Sequence, residues 1–317
     1  MSASAGRVSV IMPLHDKAAY VVAALESALR QVPAPGEILV IDDGSTDGGG
    51  DLVARWIAQQ PAEAGVRLLR QANAGVAAAR NLGLAQARGE FVAFLDADDQ
   101  YEPGYLAAIE ALVAAFPQAG MYCAGYWRCG PGPERQARRL PDVARGAMLR
   151  IDSFHARWSR GAFTHTNSIV LRRAVLVAHA LGFPVGERHG EDQDLWLRVA
   201  EVAPVAFVNE ALTAYRLDVP GSAMQSAGLD RPLPAYLRLE QRLAAGEIPP
   251  DLHNGARQLI AVHRINVAVA RLNRKNCRGA AELLFLPGTS VRRLYWLRTV
   301  LRWLGMRLRG VLAPPEN

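Results

Sequence analysis

Three carboxylates follow an apolar segment within residues 91–100, which read FVAFLDADDQ. Asp96, Asp98 and Asp99 repel one another at such spacing unless positive charge lies among them. Two carboxylates at i and i+2 after a strand can face the same way, and their oxygens suit Mg²⁺ or Mn²⁺ beside substrate phosphates. The alternative is an Asp-rich turn, because Asp favours turns through its own backbone hydrogen bonds.

A second acidic segment, ILVIDDGSTD, holds Asp42 and Asp43 at the end of another apolar run. A carboxylate at such a strand end could accept hydrogen bonds from a base or a ribose. The segment also suits a plain strand-to-helix turn in which Ser45 or Thr46 caps the next helix. These two roles are compatible.

Two further segments supply charged side chains. Arg80, in NAGVAAARNLG, could approach a diphosphate or could brace Asp42 or Asp43. Glu191 and Asp192 open the helical pattern GEDQDLWLRVA, where an aspartate could serve as a general base. Their alternative role is to complement the partial positive charge at a helix N-terminus.

The elements that carry these segments alternate between strand and helix patterns over the first hundred residues. This alternation predicts an α/β fold with a mostly parallel sheet, covered by helices on both faces, whose ligands bind at the C-terminal strand ends. The predicted strands span 8–12, 37–41, 66–69 and 91–95. The predicted helices span 20–31, 51–60 and 76–87.

The later part of the chain has a different character. Residues 130–161 are rich in Arg, Pro and Gly and are interpreted as loops or mobile segments, whereas 191–202 have amphipathic helical spacing. Beyond about residue 220 helical patterns dominate. We therefore expect a catalytic domain over 1–220 and a basic, mainly helical region over 221–317.

Charge and cysteine content narrow the class of protein. Residues 231–317 hold 15 Lys and Arg against 5 Asp and Glu, whereas residues 1–230 hold 21 against 25. The basic C-terminal region indicates an anionic partner there. Three cysteines form no zinc pattern and fit a reducing compartment, so a cytoplasmic protein is expected. No P-loop, G-x-S-x-G elbow or G-x-G-x-x-G motif is present.

Five segments in order resemble the family 2 glycosyltransferases, which are inverting enzymes with the GT-A fold. These segments are VSVIMPLHDKAAY, ILVIDDGSTD, NAGVAAARNLG, FVAFLDADD and GEDQDLWLRVA. Together they cover about the first 216 residues, and five ordered motifs are far more specific than any single one.

The resemblance implies a role for particular residues. Asp98 would contact a divalent ion, Mn²⁺ or Mg²⁺, with Asp96 as a further metal or nucleotide contact. Asp192 would be the general base. The residues implied to bind the donor are Pro13, Leu14, His15, Asp43, Asn73, Arg80 and Asp96.

Two departures from the family pattern leave alternatives open. His15 and Asp16 stand where many relatives have tyrosine and asparagine, so stacking on the base is in question. Many relatives also have a histidine shortly after a tyrosine-arginine pair. Here Tyr215-Arg216 is followed by Leu217, Asp218 and Val219, so Asp218 substitutes as a metal ligand or that ligand is absent.

The resemblance implies sugar transfer from a nucleotide-diphosphate sugar, with UDP as the expected nucleotide, to a hydroxyl acceptor. The acceptor would be a glycan or a lipid-linked molecule in surface polysaccharide or glycolipid synthesis, and no nucleic-acid partner is expected. The rival functions are a nucleotide-sugar-binding protein without turnover and a nucleotidyltransferase of similar fold. Measuring donor hydrolysis with and without Mn²⁺ distinguishes them.

The C-terminal segment holds five leucines at helical spacing. Arginines lie elsewhere around the same helix, with no acidic residue between. Three interpretations stay open, since the leucines could pack on the protein's own core, contact a second subunit, or lie on an anionic bilayer at the inner face of the membrane. The leucines are Leu294, Leu297, Leu301, Leu304 and Leu308.

Overall fold

A computed structural model describes residues 7–220 and 230–312 of the 317-residue chain. Within these ranges ten strands form one sheet. The strands are β1 Val8–Leu14, β2 Glu37–Asp43, β3 Val66–Gln71, β4 Phe91–Phe94, β5 Gln100–Tyr101, β6 Met121–Cys129, β7 Arg135–Arg138, β8 Met148–Ile151, β9 Ile169–Arg172 and β10 Val205–Arg216.

Helices connect most of these strands and make up most of the C-terminal region. They are α1 Val21–Leu29, α2 Gly49–Ile57, α3 Val76–Gln86, α4 Tyr105–Ala115, α5 Phe154–Trp158, α6 Arg173–Ala178, α7 Glu191–Val202, α8 Pro234–Ala244, α9 His253–Asn273, α10 Cys277–Leu284 and α11 Arg293–Leu312.

The sheet is mixed. Its order is β3-β2-β1-β4-β9-β6-β10-β5, with β7 paired to β6 and β8 paired to β10. The four N-terminal strands run parallel, as do β6 and β10, and β9 is antiparallel to both of its neighbours. This arrangement confirms the predicted α/β class and the predicted parallel order of the first four strands.

Side-chain alternation along β1 shows why helices cover both faces. Val10 and Met12 belong to a buried cluster that also contains residues of α1 and α4. Ile11 points to the opposite face, where a Cβ added at Gly83 of α3 would overlap its side chain. Because successive strand residues point to opposite faces, an apolar run such as this one is expected in a strand buried on both sides.

The region 130–161 contradicts its interpretation as loops. It contains β7, β8 and the short helix α5. The strands β7 and β8 are four residues each, pair at positions off the main path of the sheet and are mostly not buried. Such short strands give too few residues for an alternating pattern to be recognised in the sequence. By contrast, α7 has the bounds that its amphipathic pattern predicts.

The chain divides into two compact units. The first contains the described residues up to 152 together with 162–220, and the second contains 153–161 together with 230–312. The segment 153–161 therefore groups with the C-terminal helices, although the sequence assigned it to the first domain. The predicted boundary at residue 220 borders residues 221–229, which lie outside the described ranges.

Candidate active site

The candidate site lies at the edge of the sheet where β1, β2 and β4 end. These strands run parallel, so their C-terminal ends share one edge, as the sequence predicts. The turn that holds Asp96, Asp98 and Asp99 connects β4 to β5. The first turn of α7 and the segment 164–168 contribute the other charged and polar groups.

Arg80 on α3 joins two acidic segments. Its guanidinium donates to Asp96 Oδ1 at 2.8 Å and to Glu191 Oε1 at 2.9 Å, and it lies over the ring of Phe183. The side chain is 5% exposed. Burial alone would lower the pKa of Arg80, but the charges of Asp96 and Glu191 raise it, so the guanidinium stays charged.

The hypothesis that Arg80 braces Asp42 or Asp43 is therefore wrong in its choice of partners. Arg80 does brace carboxylates, but they are Asp96 and Glu191, which lie 16 and 111 positions away in the sequence. Asp42 instead accepts a hydrogen bond from the amide of Ser45 at 2.9 Å, within its own turn.

Asp98 sits between a negative and a positive neighbour. Burial and the charge of Asp96 raise its pKa, and Lys17 opposes this rise from 3.3 Å. Lys17 comes from the segment after β1, so positive charge does lie among the three carboxylates. Asp98 is 19% exposed and can be reached from solvent.

Asp99 has a structural role. Its Oδ1 accepts from the amide of Arg216 at 2.7 Å, and its Oδ2 accepts from the side-chain amide of Asn167. Asn167 also accepts, through Oδ1, a 2.8 Å hydrogen bond from the amide of Asp96. Asp99 is 1% exposed, and burial raises its pKa well above the usual range. Asp99 and Asn167 thus fix the acidic turn against the end of β10.

Asp192 and Glu191 lie in the first turn of α7, after Gly190, whose backbone has φ of 82°. Asp192 Oδ2 accepts from the hydroxyl of Thr166 at 2.9 Å, and Oδ1 accepts from the amide of Gln193 at 2.7 Å. Burial, and then the charge of Asp192, raise the pKa of Glu191 to about 7 despite its ion pair with Arg80.

The rings of Tyr126, His165 and Tyr215, which we call the aromatic wall, lie close to one another. The ring of His165 is 4.2 Å from the ring of Tyr215 and 5.5 Å from that of Tyr126, measured between centroids. Burial lowers the pKa of His165, although the charges of Asp96 and Asp192 oppose this shift. The imidazole and its two aromatic neighbours form a cluster of tilted rings, and the charges of Asp96 and Asp192 act on it.

The residues expected to bind the donor's nucleotide gather at the ends of β1 and β2. Asp43 is 3% exposed; its Oδ1 accepts from the amide of Ala74 and its Oδ2 from that of Gly75, both at 2.8 Å. His15 Nε2 lies 3.1 Å from the exposed side-chain amide of Asn73. Asp43 therefore holds the loop that presents Asn73.

Pro13 and Leu14 are buried within β1. Leu14 packs in the core cluster that contains α1 and α4 residues, so its side chain faces away from solvent. The next two residues, His15 and Asp16, are the first exposed ones. Asp16 accepts from the amide of Thr46 at 2.7 Å, which links the loops after β1 and β2.

Asp218 is exposed beyond the end of β10. Across residues 7–220 and 230–312, no three His, Cys, Asp or Glu side chains are grouped so that they could hold a metal ion. Within these ranges, therefore, no such group includes Asp218.

The segment 164–168, THTNS, was missed by the sequence reasoning. Thr166 donates a hydrogen bond to Asp192, and Asn167 donates one to Asp99. His165 belongs to the aromatic wall. The only signal was a short polar stretch just before the apolar run of β9. Such stretches are common in loops, so this one did not stand out.

Comparison with known proteins agrees with the geometry. The profile described as Glycosyl transferase family 2 matches residues 9–177, which is more than half of the chain. The chain belongs to this family. Its fold is the GT-A fold.

Individual relatives are similar over part of their length. The uncharacterized glycosyltransferase YibD of Escherichia coli (strain K12) is 31% identical over 192 residues, which is 60% of this chain and 55% of YibD. The putative glycosyltransferase EpsH of Bacillus subtilis (strain 168) is 28% identical over 66% of this chain and 60% of EpsH. The chain thus spans roughly half of these two relatives.

Solved structures share the fold. S. aureus TarS 1-349, solved with UDP-GlcNAc, superposes with a TM-score of 0.70 at 17% identity, covering 95% of this chain and 92% of TarS 1-349. The mannosyltransferase PcManGT of Pyrobaculum calidifontis, solved with GDP-Man and Mn²⁺, has a TM-score of 0.59 at 18% identity, covering 99% and 89%.

Proposed function

We propose that this glycosyltransferase moves a sugar from a nucleotide-diphosphate sugar to a hydroxyl acceptor by a metal-dependent, inverting displacement. One observation carries the proposal. Arg80 pairs with both Asp96 and Glu191, which brings the acidic turn after β4 close to the first turn of α7. The carboxylates proposed to bind the metal and diphosphate, and the carboxylate proposed to accept a proton, therefore belong to one site.

Asp192 is the proposed general base. The hydrogen bond from Thr166 and the one from the Gln193 amide fix the orientation of its carboxylate, while lone pairs on both oxygens remain for a further partner. Asp192 would take the proton of the acceptor hydroxyl as its oxygen attacks the anomeric carbon. A single displacement of this kind inverts the anomeric configuration.

Asp98, with Asp96, is proposed to hold Mn²⁺ or Mg²⁺ together with the diphosphate. The fit rests on the oxygen donors and on the mutual repulsion of the two carboxylates, since Asp96 raises the pKa of Asp98. When bound, such an ion would neutralise charge on the leaving diphosphate. Lys17, 3.3 Å from Asp98, adds a cation from the protein at the same place.

The donor's nucleotide is proposed to lie over the ends of β1 and β2. His15 and Asn73 are exposed there and adjacent, whereas Asp43 is buried and holds the loop that carries Asn73. Pro13 and Leu14 would contribute through their backbone. We propose UDP as the nucleotide on the resemblance of the motifs, with GDP as the competitor to test.

The acceptor is proposed to be a glycan or a lipid-linked molecule of a surface polysaccharide or glycolipid. Support comes from relatives. One matching protein is named the O-antigen biosynthesis protein RfbC of Myxococcus xanthus; it is 29% identical over 75% of this chain and 18% of its own length. A cytoplasmic location belongs to the same proposal.

The variant Asp192→Asn tests the base. Loss of a general base typically lowers kcat by a hundredfold or more, so sugar transfer should fall by at least about that factor. Donor binding should be retained, because the acidic turn, Lys17 and Arg80 are unchanged. Transfer is measured with the sugar donor and Mn²⁺, and donor affinity by calorimetry.

Asp152→Asn is the matched control, because this carboxylate is 92% exposed and lies outside the site. It should transfer sugar at the parent rate. Parental transfer by Asp192→Asn would show that another group is the base. Loss of donor binding in that variant would instead assign Asp192 to the donor site.

A further inference from the structure

The helix α11 presents an apolar face to solvent. Of the fifteen exposed large hydrophobic side chains in the described parts of the chain, nine lie between Phe285 and Leu308. The five leucines of α11 are between 42% and 76% exposed. We define the leucine face as Leu294, Leu297, Leu301, Leu304 and Leu308.

The opposite face of α11 explains why the leucines point outwards. Trp296 and Trp303 pack against a core cluster of α9 and α10 residues. Their indole N–H groups donate to the carbonyl of Leu284 at 2.8 Å and to that of Cys277 at 2.9 Å. These contacts fix the rotation of the helix. The hypothesis that the leucines pack on the protein's own core is therefore wrong, since the tryptophans do so.

Positive charge borders the leucine face. Arg293 and Arg298 are exposed, and neither has an ion pair with any residue that the structure describes. No acidic residue occurs between Glu282 and Glu316 in the sequence. An exposed apolar stripe next to uncompensated arginines suits an interface between hydrocarbon and negatively charged headgroups.

A second copy of the chain suits this face less well. A two-fold dimer brings the same surface of each copy together. The arginines of one copy would then lie near those of the other, and no carboxylate on α11 would balance them. An anionic surface supplies the missing negative charge, whereas a copy of the chain adds more positive charge.

We propose that α11 lies on the surface of an anionic bilayer, with the leucine face among the acyl chains and the arginines on the headgroups. Over the described residues, no helix is both long and apolar enough to span a membrane. This inference stands apart from the proposed catalytic function, because it concerns a different unit of the chain.

The test is co-sedimentation of the full chain with vesicles. We expect binding to phosphatidylglycerol–phosphatidylcholine vesicles, weaker binding to pure phosphatidylcholine, and release by high salt. The double variant L297Q/L301Q should weaken binding at least about tenfold, because buried apolar area is lost. R293Q/R298Q should weaken binding to the anionic vesicles by roughly fivefold per arginine and leave binding to phosphatidylcholine unchanged.

Two matched controls keep the test specific. Leu237→Gln removes a leucine of α8 that is 47% exposed, and Arg278→Gln removes an arginine that is 94% exposed. Both should bind vesicles as the parent does. Point variants are preferred to deletion of α11, because deletion also removes Trp296 and Trp303 from the core. Circular dichroism checks that each variant is folded.

Three outcomes would overturn the proposal. The first is that the full chain does not bind anionic vesicles at low salt, and the second is that both double variants bind them like the parent. The third outcome is a lipid-free dimer, detected by light scattering, that L297Q/L301Q converts to a monomer. That result would assign the leucine face to a second copy of the chain.

Discussion

At the scale of single residues, the site's three aspartates after β4 have different environments. Asp96 is held by Arg80, Asp98 faces Lys17, and Asp99 is buried against Asn167. Identical side chains therefore differ in what they can bind. Asp99 has both oxygens occupied within the protein, whereas the side chains of Asp96 and Asp98 are 24% and 19% exposed and can be reached from solvent.

Thr166 is expected to act on the reaction through Asp192. Its hydroxyl donates to Asp192 Oδ2 at 2.9 Å, and a hydrogen bond to a charged group contributes about 1.5–3 kcal/mol. Thr166→Val should lower kcat by roughly tenfold or more with little change in the donor KM. Thr166→Ser keeps the hydroxyl group that donates to Asp192 and should restore most of the rate. Equal rates for the valine and serine variants would argue against the positioning role.

The pH dependence of stability should report on Glu191. Its pKa is raised from 4.5 to about 7 in the folded protein, so the folded state binds this proton more tightly than the unfolded state. Its contribution to stability is complete below about pH 4.5 and is lost as pH rises through 7. Glu191→Gln removes this titration. The urea concentration at the midpoint of unfolding should therefore fall less in this variant than in the parent between pH 4.5 and about pH 7.

The same experiment needs a control for the loss of one carboxylate. Glu134→Gln changes an exposed glutamate in the same unit. If Glu191→Gln and the parent give parallel curves of midpoint against pH, the raised pKa is not a feature of the folded protein.

At the scale of elements, contiguous patterns were predicted and long-range partners were not. The first four strands and α7 have apolar runs or amphipathic periods that local sequence displays directly. Arg80 and Glu191 are 111 positions apart in the sequence, and nothing in the local sequence of either residue indicates that the two will pair. The rotation of α11 was equally hidden, because leucines and tryptophans both occur at helical spacing and only packing decides which face is buried.

The contact between α3 and β1 should be sensitive to one methyl group. A Cβ at Gly83 would overlap Cγ2 of Ile11, so Gly83→Ala must push α3 away from the sheet. Overpacking of this kind costs about 1–3 kcal/mol. Because α3 carries Arg80, donor affinity should fall together with the melting temperature.

Gly130→Ala is the control for this prediction, since a Cβ at that position meets nothing within 4 Å. Its melting temperature should stay close to that of the parent. A Gly83→Ala variant as stable as Gly130→Ala would mean that α3 and β1 can separate at little cost.

At the scale of the whole molecule, charge is divided unevenly. Residues 1–230 hold more acids than bases, 25 against 21. Five of those acids lie in the turn after β4 and at the first two positions of α7. A nucleotide diphosphate is itself negative, so its binding to this half requires local cations. Lys17 and Arg80 are two of them, and both already pair with carboxylates. A divalent ion would add positive charge at this place.

Stabilisation by nucleotide should therefore depend on metal. With Mn²⁺, UDP at a hundred times its dissociation constant should add about 2.7 kcal/mol to the free energy of unfolding, and GDP at the same concentration should add less. With EDTA, or in Asp98→Asn, the thermal shift caused by UDP should be largely lost, because the diphosphate then meets Asp96 without the ion. Asp152→Asn should respond like the parent. A full UDP shift in EDTA would mean that Lys17 and Arg80 suffice for the diphosphate and that the metal is not needed for donor binding.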